Sequence, residues 1–169
     1  MSGRSVPSIA LRVTNCDTDE ALASASVLFD QYRQHYGQPP DEDGRTLGWL
    51  TDMVRSGLLT VYTAAVDPSA GAPPIGLATG HAIPASLVMG TFWQLRDLYV
   101  LPESRRRGAA VALVGAVRQA ALAAGATRLS LATELDNRTA LGLYRKLGFR
   151  PVDGLASLSL DLAPDAIME

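Results

Sequence analysis

One segment constrains this chain more than any other: Thr91–Val114, reading TFWQLRDLYVLPESRRRGAAVALV. Thr91–Val100 is rich in aromatic and branched side chains and predicts a β-strand. Leu101–Arg107 predicts a loop. A helix begins directly at Gly108 and runs to about Ala124, with Ala110, Leu113, Val114, Val117 and Ala121 as its apolar stripe and Arg118 and Gln119 outside it. A strand that runs through one short loop into such a helix leaves few architectures. The helix must cover the sheet to which the strand belongs, which commits the chain to α/β layering.

The flanking sequence extends the pattern. Ile9–Val13 predicts a short strand. Asp17 or Thr18 caps a helix through about Gln34, on which Ala21, Leu22, Ala25, Leu28, Phe29 and Tyr32 recur at helical spacing, until Gly37 and the Pro39–Pro40 pair end it. Thr46–Ser56 predicts a second helix, stopped by Gly57. Leu58–Val66 and Ile75–Ile83 read as strands around the surface turn Asp67–Pro74, although Gly76 and Gly80 weaken the second. Leu129–Thr133 predicts a strand, Asn137–Leu147 a helix stopped by Gly148, and Ser157–Leu162 a last strand. The order β-α-α-β-β-β-α-β-α-β implies a mixed sheet covered on both faces. No repeat or linker divides it, so a single domain over 9–163 is expected between a loose 1–8 and a tail at 164–169.

Composition narrows the function. A chain of 169 residues, 47% hydrophobic and 19% charged, is long and apolar enough for an ordinary soluble domain with a real core. A net charge of −2 does not mark a nucleic-acid binder, while Arg105, Arg106 and Arg107 stand together and suggest an anionic ligand at one place. With Cys16 as the one cysteine, no intramolecular disulfide is possible. With His35 and His81 as the two histidines, no metal site is expected. No apolar run is long enough to span a membrane, and the start MSGRSVPS lacks the apolar stretch of a signal peptide, so a cytoplasmic setting is the default expectation.

The loop itself suits phosphate. The first turn of a helix carries unpaired N–H groups, and its dipole favours negative charge. Gly108 with the small Ala109 and Ala110 admits an anion close to the backbone, and the arginines add charge-assisted hydrogen bonds. On these residues alone, an exposed basic helix start fits equally well. The loop has no Gly-Lys-Ser/Thr of a Walker loop and lacks the three spaced glycines of a dinucleotide fingerprint.

A second pattern decides what the loop resembles. Arg105-Arg106-Arg107-Gly108-Ala109-Ala110, after the strand exit Leu98–Glu103, is similar to the Gln/Arg-x-x-Gly-x-Gly/Ala motif of the GNAT family of N-acetyltransferases. Asn137-Arg138-Thr139-Ala140-Leu141-Gly142-Leu143-Tyr144, then Gly148-Phe149, resembles that family's Asn-x-x-Ala-x-x-x-Tyr motif and the Gly-Phe that follows it. The two lie in the family's order across roughly residues 93–150, and the pair is far more specific than either half. The resemblance implies a mostly antiparallel central sheet and acetyl-CoA as co-substrate. It implies transfer of the acetyl group, by direct attack, to a primary amine of a small molecule or peptide. It places the pyrophosphate on the amides of Arg106–Ala110. The pantetheine arm would lie strand-like near Tyr99 and Val100, where that strand parts from Leu129–Thr133. Asn137 would reach the cofactor, and it also reads as a helix N-cap; both roles are compatible. A non-catalytic acyl-CoA-binding module on the same fold is the alternative.

Acyl transfer needs a neutral amine, a polarised carbonyl and a protonated or stabilised leaving thiolate. The resemblance makes Tyr144 the acid for the CoA sulfur; without it, Tyr144 reads as a helix tyrosine packed in the core. Asp97 is a candidate base. By alternation it shares a face with Trp93, Leu95 and Tyr99, and a solvated or salt-bridged strand carboxylate is the other reading. Glu134 and His81 are weaker candidates, and positioning can suffice without a strong base. On the acceptor side, Leu28–Asp43 brings Tyr32 and Tyr36 to the end of the first helix and follows them with Asp41, Glu42 and Asp43. That stretch is expected to shape the acceptor site and to favour a cationic amine, against the plainer reading of an exposed acidic turn. Trp93 either lines the cleft or fills the core. The acceptor is not named by the sequence. Oligomeric state is open, with a homodimer as the common default.

Overall fold

The computed structural model describes residues 10–66, 72–160 and 162. Its elements in chain order are β1 (Leu11–Asn15), α1 (Asp19–His35), α2 (Arg45–Arg55), β2 (Thr60–Val66), β3 (Gly76–Ala85), β4 (Gly90–Val100), α3 (Ala109–Ala123), β5 (Leu129–Ser130) and α4 (Arg138–Lys146). Short 3₁₀ turns lie at Ser86–Val88 and Pro102–Ser104. Most ends fall within a residue or two of the sequence expectation, the ordinary latitude of element boundaries. Ile9, residues 67–71 of the expected turn, Asp161, residue 163 and the whole of both expected loose ends, 1–8 and 164–169, lie outside the described residues. The chain separates into two units, Met1–Glu134 and Leu135–Glu169.

In the first unit the five strands lie in the order β1-β2-β3-β4-β5. The first four are antiparallel neighbours, and β5 runs parallel to β4. The sheet is therefore mixed and mostly antiparallel. α1 and α2 cover one face, where Leu22, Leu28, Phe29 and Leu50 pack with Val61, Leu77 and Tyr99. α3 covers the other through Leu113, Val114 and Val117. Ala109 is buried on this helix and Ala110 only partly, so the stripe begins one residue earlier than the periodicity places it.

The two glycines that weaken β3 in sequence turn out to be what allows α3 to sit down. A Cβ at Gly76 would stand 3.0 Å from the Tyr99 carbonyl oxygen and 3.1 Å from Leu113 Cδ1. One at Gly80 would stand 2.7 Å from Trp93 Nε1 and 3.3 Å from Val117 Cγ1. Both fall short of ordinary contact, so the close approach of helix and indole requires bare backbone here.

β4 is not a regular strand. Thr79 pairs with Asp97 and Gly80 with Leu95, which leaves Arg96 as the extra residue of a β-bulge. The bulge interrupts the alternation that would put Asp97 on one face with Trp93 and Leu95. Instead Trp93 and Leu95 face α3, while Asp97 and Tyr99 face α1, where both meet Tyr32. Simple alternation fails because one inserted residue reverses every facing beyond it.

Pairing of β5 with β4 ends at Gln94–Ser130. The expected strand over Leu129–Thr133 is thus two residues long. The bulge lies just past that last rung, and a bulge bends and twists its strand, so the partners part there.

In the second unit, the Asn137 side chain caps α4 by accepting from the Ala140 N–H at 3.1 Å. Gly148, at φ +92°, closes the helix. Phe149 N–H donates to Tyr144 O at 3.0 Å, Gly148 N–H donates to Arg145 O at 3.1 Å, and the Phe149 and Tyr144 rings meet edge-on at 5.7 Å. That is the Schellman closure with its apolar contact. The last expected strand, Ser157–Leu162, is not formed among the described residues. Its leucines alternate, but Leu158 and Leu160 are exposed, so the alternation buries no face, and period alone does not make a strand. Among the described residues, no helix is long and apolar enough to cross a membrane.

Candidate active site

Where pairing of β4 with β5 ends, main-chain groups of β4 are left without a strand partner among the described residues. Leu101 N–H donates to Ile75 O, so by antiparallel alternation the N–H and C=O of Leu98 and Val100 point away from β3. Beyond Ser130 no strand pairs with that edge among the described residues. One group there is already engaged: Arg105 Nε donates to Val100 O at 3.1 Å and ties the loop to the strand end. The side chains of Tyr99 and Val100 are buried, so what the strand offers at this edge is main chain.

The loop then turns sharply. Arg106 has φ +62° and Gly108 has φ +88°. A left-handed arginine is uncommon and costs of order 1 kcal/mol, a strain that clusters at functional turns. α3 opens with Gly108 at its N-cap and no side-chain cap. The first helical bond runs from Ala112 N–H to Gly108 O, so the N–H groups of Ala109, Ala110 and Val111 have no helical acceptor. Arg105, Arg106 and Arg107 are all exposed around them. Bare amides, a positive dipole end and three cations make a seat for an anion.

Facing α1, Asp97 is held at both oxygens. Tyr32 OH donates to Oδ1 at 2.8 Å, and Thr79 Oγ1 donates to Oδ2 in a short hydrogen bond. Burial, followed by the charge of Asp97, pushes the Tyr32 phenol well above its ordinary range, so it stays a donor. Thr79 is completely buried and lies in the run GLATGHA, where nothing about its residue type announces the role. Tyr36, largely exposed, meets Tyr32 edge-on at 5.2 Å.

Two adjoining cavities open on this side. The smaller, about 270 Å³, is lined by His81, Arg96 and Asp97 against Phe29, Trp49 and Met53. The larger, about 720 Å³, shares Phe29 and Trp49, whose rings stack at 5.6 Å, and reaches Arg33, Asp41, Glu42 and Arg45. Sequence reasoning missed Arg96 and Trp49 as lining, whereas Phe29 lies in the stretch Leu28–Asp43 expected to shape the acceptor site.

Asp41 lines the larger cavity, but its carboxylate serves α2. Oδ1 accepts from Arg45 N–H at 3.0 Å and Oδ2 from Thr46 N–H at 2.6 Å. The Thr46 amide above all holds this carboxyl below its usual range. Trp93 is 8% exposed on the α3 face, opposite Asp97, and its Nε1 has no acceptor among the described residues. The structure therefore separates Trp93 from the group formed by Tyr32, Tyr36 and Asp97, while His81 reaches the same cavity as Asp97. Glu134 is placed at the end of the first unit, with Thr133 Oγ1 at 3.4 Å. Tyr144, buried, and Asn137 are both on or beside α4 in the second unit.

Comparison with known proteins gives a consistent result. The acetyltransferase (GNAT) family matches residues 25–149. An uncharacterized N-acetyltransferase of Bacillus subtilis, YhfO, is 28% identical over 152 residues, covering 90% of this chain and 98% of that protein. A probable acetyltransferase of known crystal structure is 27% identical, with a TM-score of 0.80 over 90% of this chain and 98% of its own. AAC(6')-Iy, solved in complex with the bisubstrate analogue CoA-S-monomethyl-acetylneamine, shares the fold at 19% identity and a TM-score of 0.71, over 90% of this chain and 99% of its own.

Proposed function

The chain belongs to the acetyltransferase (GNAT) family, and from that premise we propose that it transfers the acetyl group of acetyl-CoA to a primary amine of a small molecule or peptide. The observation that carries the reading is the uncapped, left-handed start of α3 beside the open edge of β4. Both halves fit the co-substrate. A diphosphate matches bare helix amides with arginines around them, and an amide-bearing arm matches a strand edge that lacks a partner.

Acetyl-CoA supplies an activated thioester; the chain supplies placement and proton handling. The amides of Arg106–Ala110 receive the diphosphate, with Arg105, Arg106 and Arg107 adding charge. The main chain at Leu98–Val100 receives the arm. Asn137 meets the co-substrate while capping α4. Asp97 accepts the proton of the attacking amine. Its hydrogen bonds to Tyr32 and Thr79 fix its orientation and leave a lone pair on each oxygen for the acceptor. Tyr144 protonates the departing sulfur.

The test is release of CoA thiol from acetyl-CoA in the presence of a panel of amines. Amine-dependent release supports the reading. Tight acetyl-CoA binding with no amine-dependent release makes the protein a binding module instead.

A further inference from the structure

We propose that Arg96 sets the acceptor class by pairing with a carboxylate carried close to the reacting amine, so that the acceptor is an amino acid with an apolar side chain. The inference rests on the acetyl-transfer reading and concerns the same cleft.

The bulge is the starting point. Arg96 is the residue it inserts, and Arg96 and Asp97, consecutive in sequence, both line the cavity of about 270 Å³. In a regular strand two consecutive side chains point to opposite faces. Here a cation and a carboxylate stand side by side over one small space. They form no ion pair with each other: each Asp97 oxygen accepts one hydrogen bond, from Tyr32 or Thr79, and keeps a lone pair free, and Arg96 has no ion pair or hydrogen bond among the described residues. The guanidinium charge is nonetheless close enough to act on the Tyr32 phenol.

The remaining lining limits what such a pair can hold. Phe29, Trp49, Met53, Leu58 and Leu59 make the walls apolar, and His81 is the other titratable group facing the space. The volume lies just under the roughly 300–1,000 Å³ typical of sites for drug-sized ligands. An ammonium next to a carboxylate, with an apolar remainder, matches all three features. A polyamine would set a second cation against Arg96. The adjoining larger cavity does not reverse this preference. Its Asp41 is spent on the amides of α2, and Arg33 and Arg45 line it beside Glu42 and Asp43. Transfer then forms the nitrogen–acyl bond and breaks the carbon–sulfur bond; the ammonium first gives one proton to solvent by way of Asp97, and the neutral amine gives up a second on attack, matched by the one that reaches the CoA sulfur.

The experiment compares L-leucine with 3-methylbutylamine, the same amine without its carboxylate, on the full chain with saturating acetyl-CoA and thiol release as readout. The expected kcat/KM for leucine exceeds that for the amine by about tenfold or more, the order expected of a charge-assisted contact. In Arg96→Gln that ratio collapses towards one, chiefly through KM for leucine, and Arg96→Lys retains part of it. A ratio near one in the unaltered protein, a ratio that Arg96→Gln leaves intact, or no transfer to either compound overturns the proposal. Acetyl-CoA calorimetry on the same samples separates the two levels. Binding without leucine preference removes only this inference, whereas no binding removes the acetyl-transfer reading as well.

Discussion

Replacing Gly108 by alanine and by glutamate separates what the backbone needs from what a ligand needs. Gly108 sits at φ +88° and ψ −3°, and a Cβ built there meets only Leu11 Cδ1 at 3.6 Å, an ordinary contact. Packing therefore tolerates a side chain, and the cost is conformational. A left-handed L-residue costs about 1–2 kcal/mol, and the stiffer unfolded chain offsets about 0.4–1 kcal/mol of that. The net of about 1 kcal/mol lowers Tm by about 2–4 °C for a chain of this size. Glutamate carries the same backbone cost but recovers about 0.3–1 kcal/mol from the positive end of the helix. Gly108→Glu is thus expected to be at least as stable as Gly108→Ala. Affinity should run the other way. A carboxylate among the amides competes for them and repels a diphosphate; even after solvent screening, a penalty of about 1.4 kcal/mol or more makes binding at least about tenfold weaker than in the alanine variant. Thermal melting and acetyl-CoA calorimetry at physiological salt measure the two quantities. Equal acetyl-CoA affinity in both variants would refute the reasoning, because no diphosphate could then be resting on those amides.

Three further outcomes are expected. Tyr144→Phe lowers kcat while changing acetyl-CoA affinity only a few-fold; equal loss of both in kinetics and calorimetry assigns the residue to packing. Gly80→Ala destabilises by about 1–3 kcal/mol through overpacking, because its Cβ would stand 2.7 Å from Trp93 Nε1; an unchanged urea midpoint contradicts that packing. Asp41 has a lowered pKa, so the unfolded chain takes up its proton first. Its contribution is complete above the ordinary value of 3.8 and is lost as pH falls through the lower folded value. Asp41→Asn should therefore weaken the dependence of the urea midpoint on pH between about pH 5 and pH 2; an identical acid slope argues against the helix-anchoring role.

Periodicity and turn chemistry made most of the fold legible. α3 and α4 follow from apolar spacing, and the closure of α4 at Gly148-Phe149 is readable because only a few residues satisfy a left-handed helix end. What stayed hidden depends on neighbours distant in sequence. Gly76 and Gly80 look like defects in a strand until Leu113, Val117 and Trp93 are seen to occupy the space a Cβ would take. The bulge at Arg96 leaves no mark in composition, yet it decides that Asp97 meets Tyr32 and Thr79 rather than sharing a face with Trp93. Asp41 reads as a surface acid because the amides it holds, those of Arg45 and Thr46, become acceptor-less only once α2 begins there. Ser157–Leu162 shows the reverse error, a pattern correct in period whose leucines stay exposed and which forms no strand among the described residues.

The account depends on a diphosphate resting on the first amides of α3, and amide-resolved NMR of the labelled chain during titration with CoA reports on that contact directly. The N–H resonances of Arg106, Arg107, Gly108, Ala109 and Ala110 are expected to shift furthest, in step with saturation. Saturable shifts confined to other residues, with these five unmoved, would contradict it.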